Sequence, residues 1–413
     1  MDQVEEVKQK TDIVALINEY LPLKKAGRNY RANCPFHGEK TPSFMVSPEL
    51  QIYKCFGCSE SGDAFSFLEK YEGMEFYEAL KFLAQRTGVK LKAIGDKQYS
   101  EREKLYEINE LAGKFYQYIL AKHPAGKIAR QYVLQKRGLK PETIKTFGIG
   151  FAPDIPDLLS KFLLKKKYNH YDIEKTGLVF VGRGRVFDRF RGRVTFPLYD
   201  HRGNCIGMAG RILPEYERKE VGKYINSPET PVYHKGNVLY GLNATRSEIK
   251  REKYAVVVEG EVDLISSWQA GIKNIVAIKG TALTPEQIKV LSRLTSKLVL
   301  ALDSDLAGDS AARRGIEIAQ SQGMEVRVVR TGEYKDPDEF ARADPEGLKK
   351  AIQTAENVWD FLIEVIFAKH DPNTGEGKAK ISREIVPILA SIEDKIVQSH
   401  YISLVAKKLD VTI

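Results

Sequence analysis

Cysteine is scarce in this chain: four residues among 413, of which Cys34, Cys55 and Cys58 lie near one another and near His37, while Cys205 stands alone. That usage excludes a disulfide framework and leaves a metal site as the reading of the trio. Long apolar runs are missing as well. No stretch approaches the ~18 consecutive apolar residues that a membrane span requires, so no membrane partner is expected. The opening Met1-Asp-Gln-Val-Glu-Glu-Val-Lys lacks the basic-then-apolar pattern of a secretory leader, and a cytosolic location is the expectation. A Gly-x-x-x-x-Gly-Lys phosphate loop is absent too, so nothing points to a motor ATPase. What the chain does have is core material, with 43% hydrophobic residues. Its length suits about two to four domains. Its 64 Lys and Arg against 55 Asp and Glu leave a formal charge of +9, compatible with a polyanionic partner.

Two apolar runs end in carboxylates. Tyr254-Ala-Val-Val-Val leads into Glu259-Gly260-Glu261-Val262-Asp263, and Lys297-Leu-Val-Leu-Ala-Leu leads into Asp303-Ser304-Asp305. A third run, Met324-Glu-Val-Arg-Val-Val, precedes Asp336-Pro337-Asp338. Runs without polar alternation predict strands buried on both faces, as in a parallel sheet with helices between them. Such a sheet gathers its ligand groups in the crevice beyond the carboxyl ends of its strands. Taken singly, each acid fits equally well as a helix N-cap or a solvated turn residue. Taken together, they would oppose one another's ionisation unless a cation sat among them, and oxygen ligands without His or Cys select Mg2+ or Mn2+ over zinc. The chemistry predicted is metal-assisted phosphoryl or nucleotidyl transfer.

Near the amino terminus, Cys34-Pro-Phe-His37 and Cys55-Phe-Gly-Cys58 form a C-x2-H and C-x2-C pair. Two knuckles of this spacing complete a tetrahedron around one Zn2+ and leave no position for substrate, so the site is read as structural. Ser43-Phe44-Met45-Val46 and Gln51-Ile52-Tyr53-Lys54 predict short strands of a ribbon, with helices over Asp12 to Tyr20, Asp63 to Tyr71 and Phe76 to Gln85. A module this small needs its ion to fold. Phe36, Phe44, Tyr53 and Phe56 alternate with Arg31, Lys40 and Lys54, which fits either a small aromatic core or a surface that stacks single-stranded bases. The polar stretch from about Ala93 to Ser100 reads as a linker.

Residues 181 to 218 contain eight arginines, no lysine and four acids. Arg189, Arg191 and Arg193 fall at alternate positions, which on a strand would place them on one face. That row fits phosphate contacts, or else an edge strand protected by charge. The segment Arg193-Val-Thr-Phe-Pro-Leu-Tyr, Asp200-His-Arg-Gly-Asn204 and Cys205-Ile-Gly-Met-Ala-Gly-Arg211 predicts a hairpin, with Cys205 a small buried hydrophobe. Lys223 and Lys235 are, by their physics alone, surface lysines.

Together these residues resemble the bacterial DNA primases of the DnaG type, almost from end to end. Cys34, His37, Cys55 and Cys58 are similar to the family's zinc-binding domain. Asp188-Arg-Phe-Arg-Gly-Arg-Val-Thr-Phe-Pro-Leu, Gly207-x-x-Gly210-Arg211 and Tyr224-x-Asn226-Ser-Pro-Glu-Thr resemble the basic part of its polymerase domain. Glu259-Gly-x-x-Asp263, Asp303-x-Asp305 and Asp336-x-Asp338 resemble the toprim metal site. The family often has an aromatic residue after the Glu-Gly pair, where this chain has Glu261.

The resemblance implies synthesis of short RNA primers on a single-stranded DNA template from ribonucleoside triphosphates, in the bacterial cytoplasm at the replication fork. It implies Mg2+ (or Mn2+) on Glu259, Asp303, Asp305, Asp336 and Asp338, with Asp263 and Asp309 as further candidates and Glu259 as a candidate base. Lys223 and Lys235 would contact nucleotide phosphates or template beside the catalytic acids, and Arg189, Arg191, Arg193 and Arg211 would hold the strand. The zinc module would help select the start site, in contact with a second primase molecule. The architecture expected is multidomain α/β: a zinc ribbon with flanking helices over 1–95, a linker and the start of the polymerase domain over 96–110, and a mixed α/β basic subdomain over 111–245. A parallel-sheet toprim subdomain over 246–345 and a helical subdomain over 346–413 follow. The resemblance also implies that the domain which docks the replicative helicase is absent from this chain, so little helicase stimulation is expected. A toprim nuclease or topoisomerase-like enzyme would use the same acids to cleave phosphodiesters, and a non-catalytic zinc-containing single-strand binder is the third reading.

Overall fold

The computed structural model describes residues 3–39, 41–91, 97–182, 184–219, 221–280, 282–302, 310–392 and 394–411, apart from the side chains at 97–100, 310 and 311. The chain forms two compact units, Met1–Glu103 and Lys104–Ile413.

In the first unit five strands make one antiparallel ribbon in sequence order: β1 (Lys24–Ala26), β2 (Asn29–Ala32), β3 (Phe44–Ser47), β4 (Ile52–Cys55) and β5 (Ser61–Gly62). Helices start where short acids can cap them. Asp12 accepts the amides of Val14 and Ala15 ahead of Ile13–Asn18, and Asp63 accepts that of Ser66 ahead of Ala64–Glu72. Phe44 and Tyr53 are fully buried and stack at 5.1 Å between centroids, with Phe36 and Phe67 against them. Three of the four aromatics that alternate with basic residues therefore build the core. Phe56 does not, and it stays 69% exposed. Lys40 lies outside the described residues.

The expected linker takes another form where it is described. Helix Lys97–Ala121 occupies the stretch from Lys97 onward, and 92–96 lie outside the described residues.

The second unit opens with a four-stranded antiparallel sheet in the order β11-β10-β9-β6, and a separate β7-β8 hairpin. These strands are β6 (Gly150–Ala152), β7 (Val179–Gly182), β8 (Arg185–Asp188), β9 (Arg193–Tyr199), β10 (Cys205–Ile212) and β11 (Tyr224–Asn226). The turn between β9 and β10 is held by Asp200, whose carboxylate accepts the amides of Arg202 and Asn204 at 2.9 Å each.

A second sheet follows, ordered β13-β12-β14-β15-β16. Its strands β12 (Ala255–Val258), β13 (Ile275–Ala277), β14 (Lys297–Leu300) and β15 (Glu325–Val328) are parallel. The absence of polar alternation has its reason here: Val256 and Val258 face one core while Ala255 and Val257 face the other. The edge strand β16 (Glu356–Asn357) pairs antiparallel with β15, so the sheet draws on a segment expected to lie in the helical tail. Helices Val358–Lys369, Gly375–Ala390 and Lys395–Leu409 then pack through Trp359, Ile366, Ile385 and Val405 into the same core as β14 and β15. Among the described residues no helix is long and apolar enough to cross a membrane.

Candidate metal and nucleic-acid sites

The ribbon brings Cys34, His37, Cys55 and Cys58 together, with one ligand atom from each lying within 4.8 Å of all the others. The Cys34 and Cys58 sulfurs are 3.8 Å apart, and Cys55 Sγ is 3.8 Å from His37 Nδ1. Zinc–sulfur bonds of about 2.3 Å in a tetrahedron make an edge of about 3.8 Å, so the spacing fits one Zn2+. Amides of Phe36 and Gly57 donate to the Cys34 and Cys55 sulfurs. Burial pushes the Cys34 thiol up to about 12. Burial acts the same way on Cys55, yet donors from Ser43, Cys58 and Gly57 bring that thiol down to about 7. Glu39, which carries no motif, organises the surroundings. Its carboxylate accepts the Cys34 amide at 2.6 Å and the Ser43 hydroxyl at 2.5 Å, and lies 3.4 Å from His37 Nε2. A carboxylate behind a ligating imidazole fixes the ring's tautomer and orientation.

In the second unit Glu259 follows β12 directly, half-buried, and its carbonyl accepts the Lys279 amide at 3.0 Å. Gly260 caps helix Glu261–Gln269, where Asp263 accepts the Gly260 amide at 3.1 Å. Asp303, Asp305 and Asp309 lie outside the described residues. They follow β14, the parallel neighbour of β12, and β14 is described through its exit at Ala301 and Leu302.

Asp336 caps helix Pro337–Ala343 by accepting the Glu339 amide at 2.8 Å. Asp338 is buried and already engaged: Arg137 donates to it at 2.9 Å, Arg342 at 3.0 Å and the Ser266 hydroxyl at 2.5 Å.

The basic residues divide into two kinds. Strand β8 ends at Asp188 and β9 begins at Arg193, so Arg189, Arg191 and Arg193 do not form a row on one strand. The Arg189 Nε donates to the Gly177 carbonyl and Arg191 pairs with Asp154 at 2.8 Å. Arg193 is buried and donates to the carbonyls of Gly210, Gly222 and Lys223. Arg211 differs: its guanidinium carbon lies 5.6 Å from the Tyr132 ring centroid and 5.5 Å from that of Tyr224, and its buried Nε and Nη1 have no hydrogen-bond partner among the described residues. Buried donors without a partner are uncommon in folded proteins, and they set Arg211 apart from Arg189, Arg191 and Arg193.

Lys223, which immediately precedes the Tyr224-to-Thr230 motif, and Lys235, which follows it beyond His234, are both exposed. That motif is a scaffold. Ser227 accepts the Met208 amide, Thr230 accepts that of Tyr233, and Glu229 accepts that of Lys235 at 2.9 Å. The two glycines of Gly207-x-x-Gly210 give this packing its room. A Cβ at 207 would lie 3.1 Å from Ser227 Oγ, and one at 210 would lie 2.8 Å from the Phe190 ring.

Against known proteins, family models match in four blocks: a CHC2 zinc finger over residues 1–99, the DNA primase catalytic core, N-terminal domain over 115–246, a Toprim-like domain over 256–341, and the DnaB-helicase binding domain of primase over 360–413. The DNA primase of Clostridium acetobutylicum is 37% identical over 98% of this chain and 67% of its own length. The chain belongs to the bacterial DnaG-type DNA primase family. The primase of Geobacillus stearothermophilus is 43% identical over 83% of the chain and 58% of its own length. Among solved structures, the Aquifex aeolicus primase (zinc-binding and RNA polymerase domains) matches 100% of this primase at 35% identity and a TM-score of 0.63, covering 98% of that chain. A DnaG primase catalytic domain bound to ssDNA matches 76% of it at 31% identity and a TM-score of 0.63, covering 98% of that chain.

One expectation is corrected. The helicase-binding domain expected to be absent is matched at residues 360–413, the three-helix segment after β16. Its helices bury ordinary aliphatic residues in a shared core and carry no motif, so apolar periodicity alone reads them as a generic tail. Glu39, Arg137 and Lys279 were equally silent in the sequence, because each acts through a partner that only folding brings near.

Proposed function

We propose that this primase makes short RNA primers on single-stranded DNA through a toprim site in which Glu259, Asp303, Asp305, Asp336 and Asp338 hold Mg2+ or Mn2+, with Asp263 and Asp309 in support. The observation that carries the reading is topological: Glu259 directly follows β12, and Asp303 and Asp305 come in sequence after β14, its parallel neighbour, so both connections start from the carboxyl ends of adjacent strands. An all-oxygen donor set suits a hard divalent ion. When bound, the ion supplies positive charge to the α-phosphate and the attacking 3′ hydroxyl. Glu259 is the candidate base for the hydroxyl proton. Arg211 grips a phosphate of the strand through its guanidinium charge, while Lys223 and Lys235, both exposed, meet triphosphate or template. Arg189 and Arg193 act mainly by shaping that surface, since they already donate to carbonyls, and Arg191 lends charge at its rim. One Zn2+ on the Cys34, His37, Cys55 and Cys58 cluster supports the ribbon, which selects the start site and meets a second primase molecule. Docking on the replicative helicase falls to residues 360–413, and the enzyme works at the fork in the bacterial cytoplasm.

The test is incubation with unprimed single-stranded DNA, Mg2+ and labelled ribonucleotides beside an Asp303→Asn variant. Short RNA from the wild type alone is expected; shortened DNA without RNA would mean a nuclease, and neither product a binder.

A further inference from the structure

Among the described residues, the most deeply buried ion pair uses none of the candidate metal ligands. Lys279 and Glu261 pair directly, with side chains only 1% and 8% exposed. Lys279 lies in the loop after β13 and Glu261 in the first turn of the helix after β12, so the pair ties two loops at the same edge of the sheet. The Lys279 amide also donates to the Glu259 carbonyl at 3.0 Å, and Lys279 holds a left-handed backbone, φ 56°, which residues other than glycine seldom adopt. Burial pulls the Lys279 ammonium down to about 7, and the charge of Lys235 acts in the same direction.

A buried ion pair is a poor device for stability alone, because two well-packed apolar residues serve as well without the desolvation cost. Its value here is directional. The Glu259-Gly260-Glu261 turn is held at its carbonyl by Lys279, at the Gly260 amide by Asp263, and at Glu261 by the ammonium. We infer that Glu261 and Lys279 are positioning residues, a buried clamp that keeps Glu259 oriented for the divalent cation. This rests on the toprim-site reading above.

The test is a Mn2+ titration followed by electron paramagnetic resonance, on the zinc-loaded full chain without nucleotide, for four proteins: wild type, Glu259→Gln, Glu261→Gln, and Glu261→Leu combined with Lys279→Met. The double variant removes both charges, so its melting temperature should stay close to wild type while its Mn2+ affinity falls roughly tenfold, as when partners of a metal ligand are lost. Wild-type Mn2+ affinity in the double variant would overturn the clamp. If that variant does not fold, the nearly isosteric Glu261→Gln carries the same comparison. Glu259→Gln separates the two ideas: it should lose Mn2+ binding, leaving the free-ion signal at full height, and if it binds as wild type does, the metal-site reading fails first.

Discussion

Arg137 donates to Asp338 at 2.9 Å across 201 residues of sequence, and the same carboxylate accepts from Arg342 and from Ser266. Two guanidinium groups thus balance one buried anion, joining the Arg137 segment and helix Pro337–Ala343 to helix Glu261–Gln269. Removing Arg137 leaves that anion underpaired. Arg137→Met should cost about 3 kcal/mol in denaturant unfolding. Asp338→Asn, followed by denaturant unfolding of the zinc-loaded protein, should lose stability without added Mg2+ and lose most of the stabilisation that added Mg2+ gives wild type, because the carboxylate serves both the guanidinium pair and the proposed cation site.

Glu39 braces the zinc cluster from behind by holding the Cys34 amide, Ser43 and the His37 ring. Glu39→Gln should therefore release zinc to a chromophoric chelator roughly tenfold more readily than wild type, with the four ligands intact.

Gly57 supplies room where any side chain would intrude. A Cβ there would sit 2.6 Å from His37 Nε2 and 2.9 Å from Ser43 Oγ. Gly57→Ala should lower the zinc content of purified protein, measured by atomic absorption, whereas Gly38→Ala, at a position open to solvent, should not.

Phe56 is 69% exposed and lies 5.5 Å from the Lys54 ammonium, the pairing that stacks a base beside a phosphate. Phe56→Ala should weaken single-stranded DNA binding by roughly 1–3 kcal/mol in fluorescence anisotropy and leave the melting temperature alone. The buried Phe44→Ala should do the reverse, with about 3–5 kcal/mol of lost stability.

Asp63 gives a dependence on pH. Burial would raise its carboxyl, but the Ser66 amide and Lys8, at 3.0 Å, hold it below its ordinary value of 3.8. A depressed folded-state value means that the contribution is complete above the unfolded value and is lost as pH falls through the folded one. Asp63→Ala should cost about 1 kcal/mol at pH 7 in unfolding experiments, and the gap from wild type should close under acid.

Spacing alone made the zinc ligands legible, because two short knuckles can be recognised without knowing what lies near them. The strands of the second sheet were legible for a similar reason: uninterrupted Val, Leu and Ala runs have only one comfortable place, between two cores. Asp63 and Asp336 show the limit. Both are acids ahead of a helix, and the structure gives both the ordinary work of capping it. The arginine row shows another limit. Alternation in sequence becomes a face only if the strand continues, and β8 stops at Asp188.

What the sequence by itself determined was therefore local: ligand spacing, strands with two buried faces, caps, turns and the motifs that mark a primase. Tertiary structure alone decided the pairings, Arg137 with Asp338, Lys279 with Glu261 and Glu39 with His37, and which aromatic ring faced water. Local signals follow from propensity and periodicity over a few residues. Pairing energies depend on distance and burial, quantities that exist only once remote segments have packed together.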